Sequence, residues 1–415
     1  MKRSSFLKIG VFVFFSLVIA STSFAGRHWS KPDRPNISDG WSEIDPAVAY
    51  PDFEYNGLTP ACSNAPGCTS DKFTFFVKKG TVNKVVVYFQ GGGGCWDSVN
   101  CLYAPTYTQQ QDETLDDFAD TEGMGIFDTA NPANPFKKWH IVYVPYCTGD
   151  IHWGASDTEY KDTWGQLPVD SWTIQHRGFV NFQVVLKWLK ENFERPQKIF
   201  VTGISAGSYG AIGGFPFIKK AFPLSRVYVL GDAGNGVTAE AFQTGGIYNW
   251  NVQVPDWIPG YKDGYNPEKT TADMYQDYAS YYPLSKIAQY ATAWDETQAW
   301  FYNLQFGGLV SYYQEWGNFP YDPIYCGWHD QMLEFAFETA DNAHNYRYYI
   351  AAGIDHTILM SPKFYTEKSA GISFAKWVKA MVEDFPRFHR HWGKGLWRNL
   401  QCEDCEDPVV CPSPN

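Results

Sequence analysis

Apolar residues along the chain follow two rhythms. Short unbroken runs rich in Val, Ile, Phe and Tyr occupy residues 84–89, 139–144, 198–202, 227–230, 287–293 and 346–352. Runs of this length without polar alternation predict strands buried on both faces. Residues 178–193 instead place apolar side chains at helical spacing and stop before Pro196, and a second helix-like stretch ends near Lys220. Strands alternating with helices predict an α/β fold with a mostly parallel sheet flanked by helices. Residues 237–283 keep neither rhythm and are crowded with aromatics, so they are expected to form an insertion over the sheet edge. No Ser/Gly-rich linker, internal repeat or low-complexity tract divides the rest, and a single domain over residues 26–415 is expected.

The first 25 residues have a pattern of their own. Lys2, Arg3 and Lys8 precede an apolar stretch of about a dozen residues, and Ser23 and Ala25 put small side chains where a signal peptidase reads. This predicts a cleavable signal peptide and a secreted or periplasmic protein. The apolar stretch is too short for a spanning helix, and no later run approaches the length required, so no stable membrane insertion is expected. Cleavage removes three basic residues and no carboxylate, which moves the formal charge from −12 to −15. Such a chain repels phosphate backbones and argues against nucleic acid as a partner.

Aromatic residues make up 18% of the chain, including 17 Trp and 27 Tyr, a composition suited to grooves for sugars or acyl chains. Nine cysteines in an exported chain point to disulfides, with Cys62 pairing Cys68 and Cys95 pairing Cys101 as local candidates. The odd total leaves one thiol over. Cys402, Cys405 and Cys411 crowd the C-terminus without an interleaved His, so neither a metal site nor a cofactor is expected. Six carboxylates within residues 112–122 lack the spacing of a calcium loop and are expected to be solvated.

The chemistry starts at Gly203-Ile204-Ser205-Ala206-Gly207. A strand stands directly before it and a helix directly after, the context in which Gly-x-Ser-x-Gly lifts a nucleophilic serine clear of a sheet. A serine nucleophile needs amide donors for the charge that develops on the acyl oxygen. One is the amide following it, here Ala206. Others come from a glycine-rich loop after an earlier strand, and Gly91-Gly92-Gly93-Gly94 follows residues 84–89 in the right order. No Lys-Ser/Thr follows those glycines, so a phosphate-binding loop fails. Among the downstream histidines, His329, His344, His356, His389 and His391, only His356 lies just past the last expected strand, where the base of such a site belongs. Asp295, following the preceding strand, is the preferred acid, with Asp232 as its rival.

Together these segments resemble the pectin acetylesterase/Notum family of carboxylesterases with the α/β-hydrolase fold. The resemblance rests on Val86-Val87-Tyr88-Phe89-Gln90-Gly91-Gly92-Gly93-Gly94-Cys95-Trp96, Pro145-Tyr146-Cys147, the Ser205 motif, Asp232-Ala233-Gly234, Trp294-Asp295-Glu296-Thr297-Gln298 and Asp355-His356. It implies Ser205 as nucleophile, Asp295 as acid, His356 as base, and the amides of Gly92, Gly93 and Ala206 as the oxyanion hole. Two positions depart from the family pattern: Gln90 stands where Glu is common, and Gly93 or Gly94 where a large residue is common. The expected activity is hydrolysis of an ester substrate, with an O-acetylated polysaccharide such as pectin as the leading candidate. Esters of longer acyl or hydroxyalkanoate chains are the alternative within enzymes. A non-catalytic carbohydrate- or partner-binding relative would be expected to carry a damaged triad or glycine loop, and neither is damaged here.

Overall fold

A computed structural model describes residues 37–118, 123–240, 242–315, 323–383, 395–403 and 405. The expected signal peptide, His389, His391 and Cys411 lie outside them. Among the described residues the chain builds a nine-stranded sheet from β1 (Trp41–Ile44), β2 (Phe75–Lys78), β3 (Lys84–Phe89), β4 (His140–Val144), β7 (Lys198–Ile204), β8 (Arg226–Asp232), β9 (Lys286–Thr292), β10 (Tyr346–Ala351) and β13 (Leu400–Gln401). Outside it lie two antiparallel pairs, β5 (Ser156–Lys161) with β6 (Ser171–His176), and β11 (Lys368–Ser369) with β12 (Ile372–Ser373).

The strand order is β1-β2-β4-β3-β7-β8-β9-β10-β13. Only β1 with β2 and β2 with β4 pair antiparallel; the remaining neighbours are parallel. The mostly parallel α/β sheet expected from the apolar rhythm is therefore present, in the manner of an α/β hydrolase. Alternation along β3 shows why its run is uninterrupted. Val85, Val87 and Phe89 enter one core with the helices Gly178–Asn192 and Ala206–Ala221. Val86 and Tyr88 enter a second core with the helix Phe374–Val382. A strand covered on both faces has no place for a polar side chain.

Several boundaries differ from expectation. β7 and β8 run on past their apolar residues, because Gly203 pairs with Gly231 and Ile204 with Asp232 through backbone alone. β1, β2 and β13 carry too few residues to show a period. Among the described residues no helix is long and apolar enough to cross a membrane.

The cysteine pairing is corrected in part. Cys95 bonds Cys101 as expected, but Cys62 bonds Cys147, 85 residues away, and Cys68 keeps a free thiol. The backbone explains the choice: Ser63 N donates to the Cys147 carbonyl at 2.9 Å, which lays residue 62 beside the end of β4. Cys402 bonds Cys405, and Cys326 is also disulfide-bonded.

Candidate active site

The expected site residues gather at the carboxyl edge of the parallel strands, where an open α/β sheet leaves a crevice for a ligand. Ser205 caps β7 and holds φ 53° and ψ −124°, a conformation that costs a non-glycine residue on the order of 1–3 kcal/mol. Its amide donates to the Asp232 carbonyl at 2.8 Å, which ties the turn to β8. The flanking glycine is required by contact: a Cβ at Gly207 would lie 2.1 Å from the Phe89 carbonyl oxygen. The turn and the glycine loop after β3 thus meet with no side chain between them.

Within that loop, Thr108 N donates to the Gly92 carbonyl at 2.9 Å and Gly94 N to the Thr106 carbonyl at 3.2 Å. Gly93 sits at the non-hydrogen-bonded position of the bridge to Tyr107, with φ 75°. Because the peptide is planar and trans, fixing the Gly92 carbonyl turns the Gly93 N–H to the opposite side. Ala206 is the first helical residue, so its amide has no carbonyl one turn back to bond. Gly94 differs from its neighbours: a Cβ there would meet nothing closer than 3.5 Å, so a side chain would fit.

His356 hangs from the loop after β10. Its Nδ1 lies 2.9 Å from both oxygens of Asp295, a carboxylate with no exposed surface. A carboxylate accepts, so Nδ1 carries a proton, and in the neutral ring Nε2 is left bare. Nε2 is buried and makes no hydrogen bond; it is not bonded to the Ser205 hydroxyl in this arrangement. Contacts of this kind are often loose without substrate. Burial opposes charging the ring, but the Asp295 charge, its hydrogen bond and the Asp232 charge outweigh it and raise the His356 pKa above the usual value.

Asp295 receives two further bonds from one residue, Gln298, whose backbone N donates to Oδ1 and whose Nε2 donates to Oδ2, both at 2.9 Å. Gln298 also donates to Asn235 Oδ1 at 3.1 Å, and its own Oε1 accepts from Asn235 N at 2.9 Å. Gln298 is a site residue that the sequence reading missed. Its signal was legible as Asp-x-x-Gln at a helix start, a capping-box spacing for the helix Glu296–Glu315. The rival acid, Asp232, points elsewhere: its Oδ2 accepts from Ile358 N at 2.9 Å and Leu359 N at 2.8 Å, on the loop that carries His356.

The other two described downstream histidines have partners of their own or face solvent. His329 bonds the Ala293 carbonyl and stacks on Trp294, and His344 is exposed before β10. The acidic loop also departs from expectation at one residue, because half-buried Glu113 accepts from Gln90 Nε2 beside the glycine loop.

Ser205, His356, Ala206, Gly93 and Gly94 line one cavity of about 820 Å³, counting the space open to solvent at its mouth. Its other walls are chiefly apolar and include Trp96, Ile151 and Trp153. Val237, Phe242, Ile247, Trp250, Tyr265 and Met274 come from the aromatic segment 237–283. Residues of that segment therefore share a cavity with Ser205.

The chain compares with known proteins over a central stretch of somewhat less than half its length. The family model described as pectinacetylesterase matches residues 72–258, which include the glycine loop and Ser205 but end before Asp295 and His356. Pectin acetylesterase 11 of Arabidopsis thaliana is 27% identical over 170 residues, 40% of this chain and 40% of that protein. The chain thus spans about two fifths of the length of the curated relative it matches. Over residues 72 to 258 the chain is similar to the pectinacetylesterase family.

Proposed function

We propose that the protein is a serine carboxylesterase that removes O-acetyl groups from a polysaccharide such as pectin. The carrying observation is a neutral-tautomer histidine, clamped through Nδ1 by a buried carboxylate, lining the same cavity as a serine on a strained strand-to-helix turn. In this reading His356 Nε2 takes the proton of the Ser205 hydroxyl as Oγ attacks the acyl carbon. The amides of Gly92, Gly93 and Ala206 hold the oxyanion. Collapse of the intermediate expels the sugar alcohol, which leaves with the proton from His356. Water, deprotonated by the same nitrogen, then releases acetate and restores Ser205. Asp295 keeps the imidazole in one tautomer and stabilises its charged form. The enzyme so described is a single α/β-hydrolase domain over residues 26–415, exported after loss of residues 1–25.

A second reading has its own support. Walls of Trp, Phe, Ile and Met suit an acyl chain longer than acetyl, so longer acyl or hydroxyalkanoate esters are the competing substrates. The test is turnover of p-nitrophenyl acetate, butyrate and octanoate, with acetate release from acetylated pectin, by wild type and Ser205→Ala. Loss of all turnover in Ser205→Ala is expected, and an unchanged rate overturns the hydrolase reading. A rate that climbs with chain length, without acetate release from pectin, favours the second substrate class.

A further inference from the structure

Next to the glycine loop lies a second strained segment that the mechanism above does not use. Ile151 and His152 are consecutive non-glycine residues with positive φ, 48° and 65°. A left-handed conformation is rare for any residue with a side chain and most costly for a β-branched one such as isoleucine. Such strain persists only where the surroundings enforce it, and it concentrates where geometry matters to function.

The surroundings here are a buried carboxylate. Asp150, with no exposed surface, accepts from Thr148 Oγ1 at 2.6 Å, His152 N at 3.2 Å, Gly154 N at 3.1 Å and Gly178 N at 2.7 Å. These bonds close the turn and dock it on the start of the helix Gly178–Asn192. The turn then reaches the glycine loop at two points. His152 Nε2 lies 2.9 Å from the Gln90 carbonyl, and since a carbonyl only accepts, Nε2 carries the proton. Ile151 N donates to the Tyr146 hydroxyl at 2.9 Å, and that hydroxyl donates to the Gly93 carbonyl at 2.9 Å. The backbone stretch carrying the Gly92 and Gly93 amides is thus gripped before it, at residue 90, and within it, at residue 93.

The same turn also grips the helix that follows Ser205. Trp153 Nε1 donates to the Tyr209 carbonyl at 2.7 Å. A Cβ at Gly210 would lie 2.7 Å from the His152 ring, and one at Gly213 would lie 2.5 Å from Trp153 Nε1. Two glycines on one helix face let the turn sit against it.

We propose that the turn at residues 150–153 is a brace that holds the glycine-loop donors in register with Ser205, and that His152 and Tyr146 are its positioning residues. His152 is fully buried, which lowers its pKa to about 4, so it serves as a neutral donor throughout the neutral range. Neither residue touches the reacting atoms. The proposal rests on the oxyanion role given above to Gly92, Gly93 and Ala206.

The test compares His152→Ala, His152→Gln, Tyr146→Phe and Ser205→Ala with wild type on p-nitrophenyl acetate, together with inhibition by phenylboronic acid, whose anionic adduct on Ser205 needs the same donors. A donor misplaced by about an ångström costs up to about a hundredfold. For His152→Ala, kcat is expected to fall about ten- to a hundredfold with KM within about twofold, and boronate affinity to fall in parallel. His152→Gln places an amide nitrogen the same number of bonds from the backbone and is expected to recover part of the loss. Tyr146→Phe removes one oxygen atom, is expected to lose about tenfold, and decides the matter if His152→Ala does not fold. Wild-type kcat and boronate affinity in folded variants, with only a lower melting temperature, overturn the brace. If those variants keep wild-type turnover while Ser205→Ala is inactive, the brace fails and the hydrolase reading stands. If Ser205→Ala also keeps wild-type turnover, both fall.

Discussion

Asp232 ends β8 and Asp295 follows the end of β9, the neighbouring strand, and both carboxylates are wholly buried. Asp295 meets four contacts: the His356 ring at both oxygens, and the backbone and side chain of Gln298. Asp232 receives two backbone amides on one oxygen and leaves the other buried without a partner. Burial pushes the Asp232 pKa up to about 7, against the pull of those amides and the His356 charge. Equal burial thus comes with unequal hydrogen bonding. Partners, more than depth, decide whether an interior carboxylate can serve as an anion.

Substitution at the two aspartates should separate them most sharply in rate. Asp295→Asn is expected to lower kcat on the order of 10⁴-fold, the size seen when a triad acid becomes an amide and the histidine loses its tautomer. Asp232→Asn, assayed alongside it, is expected to stay within about tenfold of wild type, and the opposite order would exchange their roles.

Stability against pH comes next in size. An aspartate raised from about 4 unfolded to about 7 folded holds its proton longer in the fold, so its contribution is intact below pH 4 and lost as pH rises towards 7. Urea unfolding of Asp232→Asn should therefore show a gain over wild type that grows between pH 4 and 7, to at most a few kcal/mol. A constant difference across that window would mean that Asp232 is already ionised in the fold.

Gln298→Ala sharpens the other half of the contrast. The carboxylate keeps its histidine but loses a side-chain donor that fixes its plane, and about a tenfold fall in kcat is expected from steady-state rates. The smallest effect is a shift in the pH profile. The Asp232 charge helps raise the His356 pKa, so Asp232→Asn should move the acid limb of kcat/KM downward by less than about one pH unit. An upward move would contradict that coupling.

The strands that frame the site were readable because burial on both faces leaves an unbroken apolar run, as in Lys84–Phe89. That Ser205, the glycine loop and His356 would meet, with Asp295 behind the histidine, was readable through order and position relative to those strands. What the sequence could not display depends on distant backbone. Cys62 reaches Cys147 rather than Cys68 because of a hydrogen bond between residues 63 and 147. The left-handed conformation of Ile151 has no signature in residue type, since isoleucine is among the least expected occupants of that region.

The approach of the Phe89 carbonyl to Gly207 sets a limit on how this chain can be re-engineered. Strand end and serine turn occupy one another's missing side-chain volume, so neither can be grafted from a relative unless the other is carried with it. Variation at the two segments is expected to be inherited as a pair, and libraries that diversify one alone would sample mostly chains that cannot close.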